Sequence, residues 1–534
     1  MNKYLFALIT LLLAACNAAV INLQNQQLTQ EALGTDFGTQ TPRSTLRFPT
    51  ISPTSTPTRA YEIFAERSIE INGYTVDYQP VNCDVTFTGQ NLLECGRVSL
   101  PENRNNPDGR RVTLPVVIVR SNGYEIANEP VFYLAGGGGS DAISGLDFYV
   151  SNTAAILDTH DYIFYSQRGA PGTEPSLSCS GYSNFLRNSY AQDMSSEEFD
   201  QAHVTFLHEC YANLLEAGND LSQYNSLINA ADLNDLRIIL GYEKINIFGS
   251  SYGTKLGLTA MREYPEMIHS AVLDSVYPLE SDLYVEYPAN ALRAFDLVFE
   301  ECAQHEHCSE RSPNLEDDFY AVVDRLNEQP ITLELQGTDF VLNGDRFLFL
   351  MTFYFYGDRD IASVPWAIYT TNRESINEIA RRASAAWQVD FLSWGMFFTM
   401  QCHEEIPYSS RAAMDAANAA VPSQYAGFFG SSWRFDLCDG WESGLADPIA
   451  NQAVISDIPA LVFAGHYDLE TPPEWGLAVS QNLSNSYFFE FPNTGHGVVR
   501  SVECALEITT SFFNNPNQAP ESQCFADQTR SNYR

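Results

Sequence analysis

Short apolar runs alternate with amphipathic stretches over much of the chain. Pro130 to Leu134, Asp161 to Tyr165, Ile245 to Phe248, Ser270 to Asp274, Pro459 to Ala464 and Tyr487 to Phe491 are brief and mostly apolar. That is the pattern of strands covered on both faces. Glu197 to Leu215, Leu227 to Leu240, Pro473 to Leu483 and Val499 to Phe513 carry helical spacing instead. The alternation from Pro130 to Asp274 predicts a parallel sheet with right-handed crossovers. Ile69 to Tyr78 and Arg111 to Val119 read as antiparallel edge strands. The alternation breaks near Pro278 and returns near Pro459, and between them the chain is helix-rich with few strand signals. The predicted organisation is one α/β domain, 61–278 and 453–534, interrupted by a helical cap at 279–452. Phe347 to Tyr356, densely aromatic, fits a buried cap helix or a pocket wall and is too short for a membrane span.

The first sixty residues follow other rules. Tyr4 to Leu13 is an apolar run behind a short basic start, too short to cross a bilayer, so residues 1–15 read as a signal peptide. Leu13-Ala14-Ala15-Cys16 resembles a lipoprotein box, which makes Cys16 a lipidated N-terminus and the membrane a partner through that anchor. Asn17 in place of Asp points to the outer membrane if the host is Gram-negative. Residues 16–60, rich in Gln, Thr, Ser and Pro, lack the apolar content for a core and read as a flexible tether. A formal net charge of −38 repels polyanions, so nucleic acid is not an expected partner.

Of 11 cysteines, setting Cys16 aside leaves 10, an even number suited to an oxidising compartment. Order and spacing pair Cys83 with Cys95, Cys179 with Cys210, Cys302 with Cys308, Cys402 with Cys438 and Cys504 with Cys524. His305 to Cys308 and Cys402 to Glu404 contain metal-ligand residue types, but neither has zinc-site spacing. No metal or cofactor is expected.

Three segments carry chemistry. Gly249-Ser250-Ser251-Tyr252-Gly253 lies between an apolar run and a helical stretch, the context of a nucleophile elbow with Ser251 as nucleophile. Ala135 to Ser140 (AGGGGS) follows a buried strand, where backbone N–H groups can approach a substrate oxygen. Asp468 and His496 each follow a C-terminal strand end, where open α/β sheets place their sites. The order Ser251, Asp468, His496 is that of a hydrolase triad, and His466 reads as a neighbour of the acid.

These segments, with Ser166 to Cys179, AVLDSVYP, Met400 to Pro407, GHYDLETP and NTGHG, resemble the α/β-hydrolase peptidases of the prolyl iminopeptidase and tripeptidyl aminopeptidase type from about Cys83 to Cys524. The resemblance implies an α/β-hydrolase fold with a cap between the sixth and seventh strands of the family's sheet, and an acyl-enzyme mechanism on a peptide or small ester. It implies an oxyanion hole made by the N–H of Tyr252 and one from the glycine loop, taken as Gly137. It also implies that the substrate's amino terminus meets acidic cap residues, which here are Glu404 and Glu405. Two departures stand out: Ala135 to Gly139 replaces the usual His or Asn followed by Gly-Gly-Pro-Gly, and Ser166 replaces an Asp. An esterase or lipase on the same scaffold, and a catalytically silent surface binding protein, are the alternative readings.

Overall fold

The computed structural model describes residues 64–529 apart from 124, 125, 128, 358, 359, 387–391 and 431. The signal segment, Cys16, the tether and the expected start at Tyr61 lie outside the described residues. Ten strands form one sheet. In chain order they are β1 (Arg67–Ile71), β2 (Tyr74–Val81), β3 (Leu93–Pro101), β4 (Arg111–Val119), β5 (Val131–Leu134), β6 (Tyr162–Tyr165), β7 (Ile245–Ser250) and β8 (Ile268–Asp274), then after the cap β11 (Ala460–Gly465) and β12 (Ser486–Phe491). The cap's own hairpin is β9 (Ile331–Leu335) and β10 (Thr338–Leu342). The large sheet is ordered β1-β2-β3-β4-β6-β5-β7-β8-β11-β12. From β6 to β12 every neighbouring pair is parallel, and from β1 to β6 every pair is antiparallel.

Two readings of the N-terminal strands need correction. Ile69 to Tyr78 is a hairpin and not one strand: Asn72 and Gly73 take φ of 49° and 87°, and Ile71 pairs with Tyr74. Asn-Gly between alternating residues favours this two-residue turn, because both central positions need positive φ. β4 is not an edge, since it lies between β3 and β6. The same turn chemistry, at Gln336 and Gly337, joins β9 to β10 inside the cap.

Helices cover both faces of the sheet. On one face Ser196–Glu216, Ser226–Leu240 and Tyr252–Glu263 supply Leu207, Leu214, Leu233, Leu236 and Leu256 to the core. On the other, Leu146–Asn152 and Glu503–Asn514 bring Leu146, Val150, Ile508 and Phe512 against Val131, Phe164 and Phe463. Between β8 and β11 the chain leaves the sheet and builds a second apolar cluster around Phe295, Phe319, Phe347 and Met351. The aromatic run from Phe347 contributes to it from the helix Gly344–Thr352 and the turn Phe353–Phe355. This cluster also takes in Tyr467 and Leu469, so the loop after β11 is packed into the cap.

Five disulfides form, joining the ten cysteines as Cys83–Cys95, Cys179–Cys210, Cys302–Cys308, Cys402–Cys438 and Cys504–Cys524. Cys308 and Cys402 are therefore not available as thiolate ligands. Among the described residues no helix is long and apolar enough to cross a membrane.

Candidate active site

The strand order reverses at β5, which sends its chain to β6 on one side and has β7 on the other. The crevice beyond the ends of β5 and β7 is thus a topological switch point, where open α/β sheets bind ligands. β7 turns at once into the helix Tyr252–Glu263, leaving Ser251 at φ 56° and ψ −124°. Such a conformation costs a non-glycine residue on the order of 1–3 kcal/mol and persists only where neighbours enforce it. Here Ser251 N donates to the Asp274 carbonyl at 2.9 Å, while Ser251 O accepts from Thr254 N at 2.8 Å and Thr254 Oγ1 at 2.6 Å. A Cβ on Gly253 would stand 1.9 Å from the Leu134 carbonyl oxygen, and one on Gly249 would stand 2.5 Å from Gly253 O. Both glycines are required because the turn is pressed onto β5 and onto itself. Tyr252 is the first residue of its helix, a position whose N–H has no intrahelical acceptor and lies at the positive end of the helix dipole.

Past β5, Gly137, Gly138 and Gly139 all have positive φ. Gln167 Nε2 donates to Ala135 O at 3.3 Å and Ser140 Oγ to Gly136 O at 2.7 Å, which shape this loop. The cap helix Trp394–Glu404 lies over it: a Cβ on Gly138 would meet Met400 Cε at 2.5 Å.

Asp468 and His496 come together although 28 residues separate them. His496 Nδ1 is 3.1 and 2.9 Å from the two Asp468 carboxylate oxygens. Asp468 also accepts from Glu470 N and Thr471 N at 2.9 Å and from Thr471 Oγ1 at 2.8 Å. Burial pulls the imidazole pKa down, but the charge and hydrogen bond of Asp468 outweigh it, so His496 stands above the ordinary histidine value. Burial pushes Asp468 up, yet His496 and the Thr471 bonds hold it below the usual carboxylate range. Asp468 stays ionised and fixes the proton of His496 on Nδ1, which leaves Nε2 free to act as a base.

Residues that the sequence reading did not single out hold this pair in place. Asp274, at the end of β8, accepts from Val498 N at 2.8 Å and Val499 N at 3.1 Å, and Ser275 Oγ accepts from Gly497 N at 2.8 Å. The cap reaches the base loop through Phe355, whose carbonyl accepts from His496 N at 2.7 Å. It reaches the acid loop through Arg293, which donates to the carbonyls of His466 at 2.9 Å and Asp468 at 2.5 Å. AVLDSVYP carries Asp274 and Ser275, so a signal was present, but no local pattern distinguishes a fastening carboxylate from a turn residue. His466 is bonded to Glu490 at 2.6 Å, outside the pair.

A cavity of about 470 Å³ opens on Ser251, Tyr252, Gly137, Gly138, Thr471 and His496. Its cap wall is aromatic, including Phe349, Phe353, Trp394, Phe397 and Trp433. The aromatic run from Phe347 is thus both buried cap core and cavity wall. Gln401 lines the cavity, held by Tyr284 Oη at 2.6 Å, but Glu404 and Glu405 do not. Those two carboxylates point to the core: Glu404 accepts from Ser226 N at 3.0 Å and from the Ser226 hydroxyl, and Glu405 forms an ion pair with Lys255. The expectation that they meet substrate is therefore corrected. Among the described residues three carboxylates do line the cavity, Asp200, Asp345 and Glu470, and the last accepts from Tyr287 Oη at 2.9 Å and Tyr356 Oη at 2.8 Å. Burial pushes its carboxyl up, against the pull of His496 and the two hydroxyls.

A family profile described as TAP-like protein matches residues 425–524. The tripeptidyl aminopeptidase of Streptomyces lividans is 29% identical over 228 residues, 41% of this chain and 41% of that protein. Serine protease Hip1 of Mycobacterium bovis is 23% identical over 249 residues, 44% of this chain and 46% of that protein. The match with this chain thus spans less than half the length of either relative. The segment matched by the profile contains β11, β12 and the loops bearing Asp468 and His496, so the C-terminal part of the chain is similar to the TAP-like family.

Proposed function

We propose that this protein is an extracytoplasmic serine hydrolase, an aminopeptidase that releases residues or short peptides from free amino termini. The observation that carries the reading is the buried Asp468–His496 pair opening on the same aromatic cavity as the positive-φ turn of Ser251. In this reading Ser251 Oγ attacks the scissile carbonyl, His496 takes its proton and passes it to the leaving amine, and Asp468 stabilises the imidazolium. The tetrahedral oxyanion is received by the Tyr252 N–H and by one from the glycine loop, assigned to Gly137. Water then releases the acyl group through the same imidazole. The peptidase class is supported by the relatives' names, and an oxidising location by the five disulfides.

Labelling with a fluorophosphonate, followed by peptide mapping, is expected to place the adduct on Ser251. Ser251→Ala should lose at least about a thousandfold in kcat at unchanged Tm, because only binding and oxyanion contacts remain. Near-normal turnover in that variant would sink the assignment. The same reading anchors the enzyme through lipid on Cys16, so Cys16→Ala should move it from the membrane to the soluble fraction. Continued sedimentation with membranes would remove the anchor from the account.

A further inference from the structure

Glu470 makes no bond and takes no proton in the acyl-transfer steps described above. Asp468 already orients His496, and Glu470 lies two residues beyond it on the cavity wall. A carboxylate withdrawn from water is destabilised unless it is paired or fully hydrogen-bonded. Glu470 is neither. Both tyrosine hydroxyls are given to Oε1, by Tyr287 from the first cap helix, Leu283–Gln304, and by Tyr356 from the segment bridged to His496. Among the described residues no Lys or Arg nitrogen lies within ion-pair distance of it. The Tyr356 ring stands 5.2 Å from the His496 ring, so the carboxylate is held beside the reacting centre. Aromatic residues make up much of the remaining wall, which also carries Asp200, Asp345, Arg346 and Arg434, and aromatic faces attract cations.

We infer that Glu470 is the specificity-determining anchor for a positively charged group of the substrate, with Tyr287 and Tyr356 fixing one oxygen so that the other meets the cation. The inference rests on the serine-hydrolase reading above and names the residue that selects the substrate. Two sources share the required chemistry, the α-ammonium of a free amino terminus and the side-chain cation of Lys or Arg. The first is favoured, because Glu470 is held beside His496, within reach of the amino terminus of a substrate cleaved one or a few residues from its end.

The test compares wild type with Glu470→Gln, which keeps shape and removes charge, on two matched pairs and a reference substrate. The pairs are a free and an N-acetylated tripeptide anilide, and a Lys-containing and a norleucine-containing N-acetylated anilide; a neutral ester is the common reference. The free-over-acetylated ratio of kcat/KM is expected to fall about ten- to a hundredfold in the variant, the size of a charge-assisted hydrogen bond. A fall confined to the Lys-over-norleucine ratio supports the same anchor and assigns it to a side-chain cation. Equal change on all substrates at a pH above the acidic limb overturns the inference, since the residue would then act through His496 or through the fold. Fluorophosphonate labelling of the wild type separates this failure from failure of the underlying reading: with Ser251 unlabelled the hydrolase assignment fails, and with Ser251 labelled and both ratios unmoved only the role of Glu470 does.

Discussion

Two pairs of carboxylates close in sequence, Glu404 with Glu405 and Asp468 with Glu470, are used by the fold in opposite ways. At the end of the cap helix Trp394–Glu404, Glu404 and Glu405 are both turned to fixed partners, Ser226 at the start of one core helix and Lys255 within the nucleophile helix. On the loop after β11, Asp468 is likewise tied to His496 and Thr471, but Glu470 is left with one oxygen supported by tyrosines and its side chain on the cavity. The first pair clamps the cap to the nucleophile helix. The second divides the work, one carboxylate setting the charge of the base and the other facing whatever enters. A carboxylate's chemistry is thus set by which groups the fold aims at it, and sequence neighbours such as Asp468 and Glu470 can serve different ends.

The largest separation of the two pairs should come from Glu405→Gln. The Lys255 and Glu405 side chains are only 2% and 5% exposed, so the variant strands a buried ammonium beside the Tyr277 ring. Removing one partner of such a pair costs about 3–5 kcal/mol, which chemical denaturation would read directly. Selectivity between free and blocked peptides should stay at the wild-type ratio, and a changed ratio would return the cap pair to the substrate. A smaller effect sharpens the other side. His496 must be neutral to take the proton, and its pKa is raised, so the acidic limb of kcat/KM on a neutral substrate should have its midpoint above the ordinary histidine value of 6.5. Glu470 is one of the charges favouring the imidazolium. Glu470→Gln should therefore move that limb to lower pH, whereas Glu405→Gln is expected to leave it in place. A pH profile of Glu470→Gln superimposable on wild type would show that the carboxylate is not felt at the base.

Much of this architecture is legible in the residue pattern. Strands β5, β6, β7, β8 and β11 are short runs buried on both faces, and a parallel sheet has few other sequence solutions. The elbow is equally local, since Gly249 and Gly253 must be glycines wherever that turn is built. Alternation runs on through Asn72 and Gly73, so the apolar pattern alone hides the positive-φ turn that divides β1 from β2. β9 and β10 are hidden for a related reason: each has only five residues, too few for their spacing to stand out among helices.

Sequence by itself determined what depends on near neighbours: the strand and helix periods, the strained serine turn, and the order in which serine, acid and imidazole follow their strands. The tertiary structure decided what depends on contacts between distant segments. Glu404 and Glu405 sit in a stretch that resembles a substrate-binding one, yet their partners Ser226 and Lys255 are some 150 or more residues away in the chain. Glu470 reads as an unremarkable turn residue until Tyr287 and Tyr356, 183 and 114 residues distant, converge on one of its oxygens. A backbone turn is fixed by sterics acting over a few residues. The environment that makes a carboxylate a clamp, an orienter or a recognition group is assembled only when the cap closes over the sheet.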